Sequence, residues 1–328
     1  METIEYVKPL DSAHMPFQGA MDLELAMEEG TESAADKTVF LAVMMGKLGT
    51  RRKVSSNIVD TDADKSLLYV SKEILDSAEL KSINSLDNEI RAYLKGRCLP
   101  VSFRRGFHVL PLALLKEVDG KLQEFKERRG KLVDEFIAVY QERVDEAKEK
   151  LAGLFVEIDY PPIECVAKAF KMEVRYTNFG VSGTLMEVSK EIYDREKAEI
   201  AGELREAMDD AIVGLRIGFQ EMVETLVDRL GNKENGKPKT FKGPTIDKLK
   251  EFLSIFEYRN ISNDGELEKL VSGAKLLLDG VDPAILRKDL TVRESVKEGM
   301  DTLLTDLKSL TLMDSVTRKY SLDDEDAE

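Results

Sequence analysis

The sequence predicts a mainly α fold: a long antiparallel, coiled-coil-like helical hairpin with a small α/β insert at its tip and a flanking helical bundle. Three observations lead there. Apolar residues recur at spacings of three and four through 111–152 and again through 185–230. Charged residues make up 34% of the chain and Pro only 9 positions, a composition that suits long solvated helical faces. A short stretch unsuited to helix, Phe155-Val156-Glu157-Ile158-Asp159-Tyr160-Pro161-Pro162, separates the two periodic segments.

Taken in order, residues 1–36 are rich in acids, Met and small residues without a sustained period, and read as a mobile N-terminal arm. An N-terminal helical region, 37–110, follows. Its first helix is expected over 36–48 and the next over 64–75, with the basic break Gly49-Thr50-Arg51-Arg52-Lys53 between them. A third is expected over 77–95, where Leu80, Ile83, Leu86, Ile90 and Leu94 make a one-sided stripe ended by Gly96. Residues 99–109 read as extended.

The hairpin occupies 111–230. Its first arm carries Leu115, Val118, Leu122, Phe125, Leu132, Phe136 and Val139 in the three-four alternation of a seam, with Arg129 in the one missing place. Its second arm carries Ile200, Leu204, Met208, Leu215, Phe219, Met222 and Leu226, after a mostly polar first third. Antiparallel pairing would put the insert, 153–184, at the tip, with a strand over 170–176 and a turn over 178–183. A Lys/Gly/Asn linker, 231–243, then leads to C-terminal helices within 244–314, at 246–256, 264–278 and 292–311, and to an acidic disordered tail, 315–328.

Composition narrows the function classes. A net charge of −15 disfavours indiscriminate binding to nucleic acid or anionic membrane. No apolar run reaches the length of a membrane span, and the first residues lack the basic and apolar regions of a signal peptide. Two cysteines, Cys98 and Cys165, make no disulfide framework, so a reducing, cytoplasmic setting is expected.

Motifs that resemble chemistry fail on inspection. Gly231-Asn232-Lys233-Glu234-Asn235-Gly236-Lys237 matches a phosphate-binding loop up to its lysine, but Pro238 stands where a hydroxyl must meet magnesium, and the segment follows a helix. Asp60-Thr61-Asp62-Ala63-Asp64 opens like a calcium loop but has Lys65 in place of the glycine and Ser71 in place of the bidentate glutamate, so it reads as helix N-cap chemistry. His14 and His108 have no ligand spacing to one another, and the cysteines read as core or interface residues. Gly214 and Gly218, one turn apart, read as close packing against another helix. No catalytic, cofactor-binding or metal-binding residue is assigned, and no cofactor is expected.

The basic clusters Arg51-Arg52-Lys53, Arg104-Arg105 and Lys233/Lys237/Lys239/Lys242 are concentrated between periodic segments of an acidic chain. Solvated loop charge is the plain account of them; contact with an acidic partner surface is the functional one. The candidate partner contacts are Arg51, Arg52 and Lys53 together with Phe155, Val156, Tyr160, Arg175, Tyr176 and Phe179 of the insert. Whether the seams close within one chain or between two copies is open, so a homo-oligomer is compatible with them.

Several stretches resemble a bacterial and phage family catalogued as a domain of unknown function, number 3150. They are Leu48-Gly49-Thr50-Arg51-Arg52, Asp87-Asn88-Glu89-Ile90-Arg91-Ala92-Tyr93-Leu94, Leu99-Pro100 with Gly106-Phe107-His108-Val109-Leu110-Pro111, Phe136-Ile137-Ala138-Val139-Tyr140, 252–260 and Asn263-Asp264-Gly265-Glu266-Leu267. The resemblance spans about residues 40–290 and carries no catalytic residue with it. What it implies is context: genes for a MoxR-type AAA+ ATPase and a von Willebrand factor A protein as neighbours. The expected function is therefore a non-catalytic helical adaptor in such a remodelling system, the alternative being a phage DNA-associated protein that binds nucleic acid through the basic loops.

Overall fold

The structure is a computed structural model and describes residues 37–101, 106–233, 236–241 and 243–325, with side chains described to residue 312 of the last helix. The proposed arm at 1–36, Arg104, Arg105, Lys242 and His14 lie outside the described residues. The protein is mainly helical with a small antiparallel sheet.

The sheet organises the first half. Strand β1 (Thr38–Met45) lies between β4 (Phe107–Pro111) and β5 (Met172–Thr177), antiparallel to both. Leu41 stands opposite His108 and Tyr176, and Phe40 opposite Val109 and Thr177. Because side chains alternate across a strand, the two sets face opposite ways. Leu41, Leu110 and Met172 pack onto helices α1 (Ala78–Arg97) and α2 (Leu115–Leu151), with Val118, Leu122 and Phe125 beneath them. Phe40 and Val109 pack on the other side against Leu204, Met208 and Ala211 of α5 (Lys190–Leu230).

The segment at 36–48, expected as a helix, is thus the central strand. Its run Val39-Phe40-Leu41-Ala42-Val43 is apolar on both faces because helices cover both, which erases the alternation that marks a half-buried strand. The helix expected over 64–75 is replaced by a 3-10 turn (Lys65–Leu67) and a strand, β3 (Val70–Glu73), which pairs with β2 (Arg51–Val54). The 77–95 stripe does form a helix: Ser77 caps α1 by accepting the Leu80 N–H, and all five stripe residues are buried.

The two long helices exist, of 37 and 41 residues. Their pairing with one another in a coiled-coil hairpin is not confirmed. α2 lies along α1 and the short α3 (Ile163–Ala169), whereas α5 lies along α9 (Leu290–Glu325), α6 (Gly243–Arg259) and α4 (Gly183–Val188). The sheet stands between them. The insert at 153–184 supplies β5 to that sheet, so it belongs to the body of the fold and not to a free tip.

Arg129, the charge in the first seam, is 1% exposed. It donates through Nε to Asp87 of α1 at 2.7 Å, through Nη2 to the Gly46 carbonyl at 2.6 Å, and through Nη1 to the Phe170 carbonyl. One guanidinium therefore ties α1, the end of β1 and the turn into β5 to α2.

The second half is a helical bundle. Leu215, Phe219, Val223 and Leu226 of α5 pack with α6, α7 (Gly265–Leu277), α8 (Pro283–Lys288) and α9, and Phe219 stacks on Phe252 at 5.4 Å. The backbone of α9 continues helical through Glu325, over 315–325 of the segment read as a disordered tail. The supposed linker is clamped: Arg293 donates to the Leu230, Arg229 and Lys239 carbonyls at 2.8, 2.8 and 2.9 Å, and Phe241, whose carbonyl accepts from Arg287 at 3.2 Å, is buried in the bundle core.

Candidate partner-docking site

Six of the nine candidate partner contacts meet in one place. β2 and β3 form a separate two-stranded ladder in which Arg51 pairs with Glu73 and Arg52 with Lys72. The Ile74 N–H donates to the Thr50 carbonyl at 2.7 Å. Antiparallel pairs alternate between bonded and unbonded, so Arg52 and Val54 turn their backbone groups toward β3 while those of Arg51 and Lys53 turn away.

A carboxylate latches this ladder to the insert. Asp159 sits 2.6 Å from Lys72 Nζ and 3.4 Å from Arg52 Nε, and Lys72 also donates to the Leu154 carbonyl at 2.6 Å. Arg52 reaches the Asp159 and Gly49 carbonyls at 3.3 and 2.9 Å. Tyr160 donates its hydroxyl to the Ile74 carbonyl at 3.0 Å and stacks on Phe155 at 4.8 Å. Burial, and after it the Asp159 charge, pushes the Tyr160 phenol up, so it stays a donor. Asp159 thereby joins the insert to both strands of the ladder through two cations.

Arg51, Arg52, Lys53, Phe155, Val156 and Tyr160 are thus brought together. Arg175, Tyr176 and Phe179 are not. Arg175 lies on β5 beside Glu173. Tyr176 donates to Asp119 of α2 at 2.8 Å, and burial and that carboxylate raise its pKa. Phe179 meets Phe40 and Phe107 edge-on at 4.7 and 5.1 Å, in the core facing α5, because the chain after β5 folds back over the sheet.

The ladder carries large apolar side chains in solvent. Tyr69 is 87% exposed and Leu67 77%, on the connection between β2 and β3; Ile158, beside the latch, is 90% exposed. Lys53 holds its ammonium 5.6 Å from the Tyr69 ring centre. Sequence reading missed these three because Leu67-Leu68-Tyr69-Val70 fits the expected helix and Ile158 fits a folded cap. Asp64, in the calcium-like run, caps the Lys65–Leu67 turn by accepting the Ser66 N–H at 2.9 Å.

A cleft of about 630 Å³ opens at the Arg51–Glu73 end of the ladder. Leu48, Leu75, Leu80, Ile83 and Phe170 give it apolar walls, and Lys47, Arg51 and Lys81 stand at it with Glu73 and Asp76. Both carboxylates are engaged, Glu73 by Arg51 at 3.2 Å and Asp76 by Lys81 at 2.6 Å.

Among the described residues no group of three or more His, Cys, Asp or Glu side chains is placed to hold a metal ion, and no helix is long and apolar enough to cross a membrane. Comparison with models of protein families, with curated proteins and with solved structures found no match.

Proposed function

We propose that this protein is a non-catalytic helical adaptor that binds a protein partner through the β2–β3 ladder and the latch segment 154–160, as a component of a MoxR-type ATPase and von Willebrand factor A remodelling system. The observation that carries the binding role is the exposure of Tyr69 and Leu67 on the ladder's connection, and of Ile158 in the latch segment, where Asp159 ties the two together. Large apolar side chains left in water on an otherwise held element mark interaction surfaces. The choice of partner rests on the resemblance given above.

The engagement of Arg52 and Lys72 with Asp159 leaves Arg51 and Lys53 as the exposed cations of β2, too few for a track of phosphate contacts, which counts against the nucleic-acid reading. Co-purification of the full chain with a MoxR-type ATPase and its von Willebrand factor A partner, with and without ATP, tests the proposal. A stable complex weakened at least tenfold by Tyr69→Ser with Leu67→Ser supports it. Absence of any complex in both conditions overturns it. A gel shift with a steep salt slope would put the nucleic-acid reading in its place.

A further inference from the structure

We infer that the outer edge of β2 receives an acidic, extended segment of a protein partner as an added strand; this deepens the adaptor reading and rests on it. The register leaves the backbone N–H and C=O of Lys53 pointing away from β3, and no described residue bonds the Lys53 N–H. At Arg51 the outward carbonyl accepts, among the described residues, only the neighbouring Arg52 guanidinium, at 3.1 Å. Such an edge is a template for a further strand, whose main-chain hydrogen bonds hold it whatever its side chains.

Charge and shape select which strand. Arg51 and Lys53 are exposed along the edge, and Lys47 stands at the cleft beside it. A second copy of this chain would bring the same cations against them, so edge-to-edge self-pairing is disfavoured. A segment with acidic residues at alternate positions would meet Arg51 and Lys53. Its backbone, running past Arg51, reaches the cleft, whose walls of Leu48, Leu75, Leu80, Ile83 and Phe170 accept an apolar side chain. Tyr69 and Leu67, beyond Val54, offer a second apolar contact at the other end of the ladder.

The test is panning the full chain with a library of random twelve-residue peptides, then measuring each enriched peptide by fluorescence anisotropy. Enrichment of proline-free peptides with alternating acidic residues is expected, with slowed amide exchange at 51–53 on binding. Lys53→Pro removes an N–H that faces away from β3, so the ladder and the thermal midpoint should be unchanged. Binding to that variant should fall at least tenfold, and Lys53→Glu, which keeps the N–H, should also weaken acidic peptides at least tenfold. Enriched peptides that are basic, peptides that bind Lys53→Pro as tightly as the native chain, or no enrichment over an unfolded control would each overturn the inference. A dimer in sedimentation that Lys53→Pro abolishes would assign the edge to a second copy instead. If the ATPase complex forms equally with Lys53→Pro, the adaptor reading stands and the edge assignment falls. If the native chain forms no complex yet the peptides behave as expected, the edge assignment stands and the choice of partner falls.

Discussion

Helices α2 and α5 are close in length and carry the same three-four spacing of apolar residues, yet they bury those stripes against different materials. α2 packs under a sheet and beside α1, and its stripe is broken by Arg129, whose charge is consumed by Asp87 and two carbonyls. α5 spans two environments: Leu204, Met208 and Ala211 meet the far face of the sheet, and Leu215 to Leu230 enter the helical bundle. Spacing tells which side of a helix is buried. It does not tell what lies on that side, because a sheet face and a helix groove both accept apolar side chains.

The largest expected effect falls on the charged position of α2. Arg129→Met leaves Asp87 buried without its cation, and urea unfolding should show a loss of about 3–5 kcal/mol. If Arg129→Met is neutral, the guanidinium is not the tie between α1, α2 and the sheet. On α5 the equivalent blow is to packing: Phe219→Ala empties a fully buried site stacked on Phe252 and should cost about 3–4 kcal/mol. Hydrogen exchange should show the first substitution loosening the sheet half and the second the bundle half.

A smaller effect separates the two glycines of α5. A Cβ at Gly214 would stand 2.8 Å from the Pro100 carbonyl oxygen, while at Gly218 it would meet nothing within 4 Å. Gly214→Ala should lower stability by about 1–3 kcal/mol through overpacking. Gly218→Ala should raise it by about 0.5–1 kcal/mol, as expected for a helix interior. The close approach read from this pair of glycines is thus real at Gly214, but its partner is the loop after α1 and not another helix.

Acid should divide the halves further. His108 lies on the sheet, and burial pushes its pKa below 6.5, so the unfolded chain binds the proton first and stability from this group is lost as pH falls below about 6.5. At Asp264 burial acts to raise the pKa, but the Arg216 guanidinium at 2.7 Å and the Leu267 N–H outweigh it and hold the carboxylate below its usual 3.8. Its contribution is therefore present above about pH 4 and lost as pH falls through the depressed value. Exchange protection should weaken in the sheet half at a higher pH than around α7, and His108→Gln should remove the earlier step.

The smallest change should be a gain. Arg259, at the end of α6, is buried beside Cys98 with its Nε unbonded, and its guanidinium lies over the Phe252 ring at 5.7 Å. Burial lowers its pKa to about 10 and raises the Cys98 thiol to about 12. Unlike Arg129, it has no carboxylate among the described residues to offset the loss of water. Arg259→Met should stabilise the protein by about 1–2 kcal/mol in urea unfolding; a loss of that size would show that the cation has a partner role after all.

Local chemistry was the most legible part of this chain. Ser77 before the α1 stripe and the stripes of α2, α5 and α7 each carry their own signal in neighbouring residues. β1 was not legible, because burial on both faces removes the alternation, and β2 was not, because Arg51-Arg52-Lys53 has the composition of a loop. The candidate site was legible by halves: charge drew attention to Arg51, Arg52 and Lys53, and the helix break to Phe155, Val156 and Tyr160. Only the contacts of Asp159 with Arg52 and Lys72, 107 and 87 positions earlier in the chain, show that the two are one site.

The sequence by itself determined that the chain is mainly helical, where its two long helices run and which sides of them are apolar, since these follow from propensity, capping and periodicity within a few turns. Tertiary structure alone decided that a sheet stands between the long helices, that the insert joins that sheet, and that the basic run becomes a strand. The insert joins the sheet through pairings between residues more than a hundred positions apart, such as Val43 with Val174, and the basic run becomes a strand only by pairing with β3, as Arg51 does with Glu73. A strand's partner is selected by shared burial, which no single segment encodes.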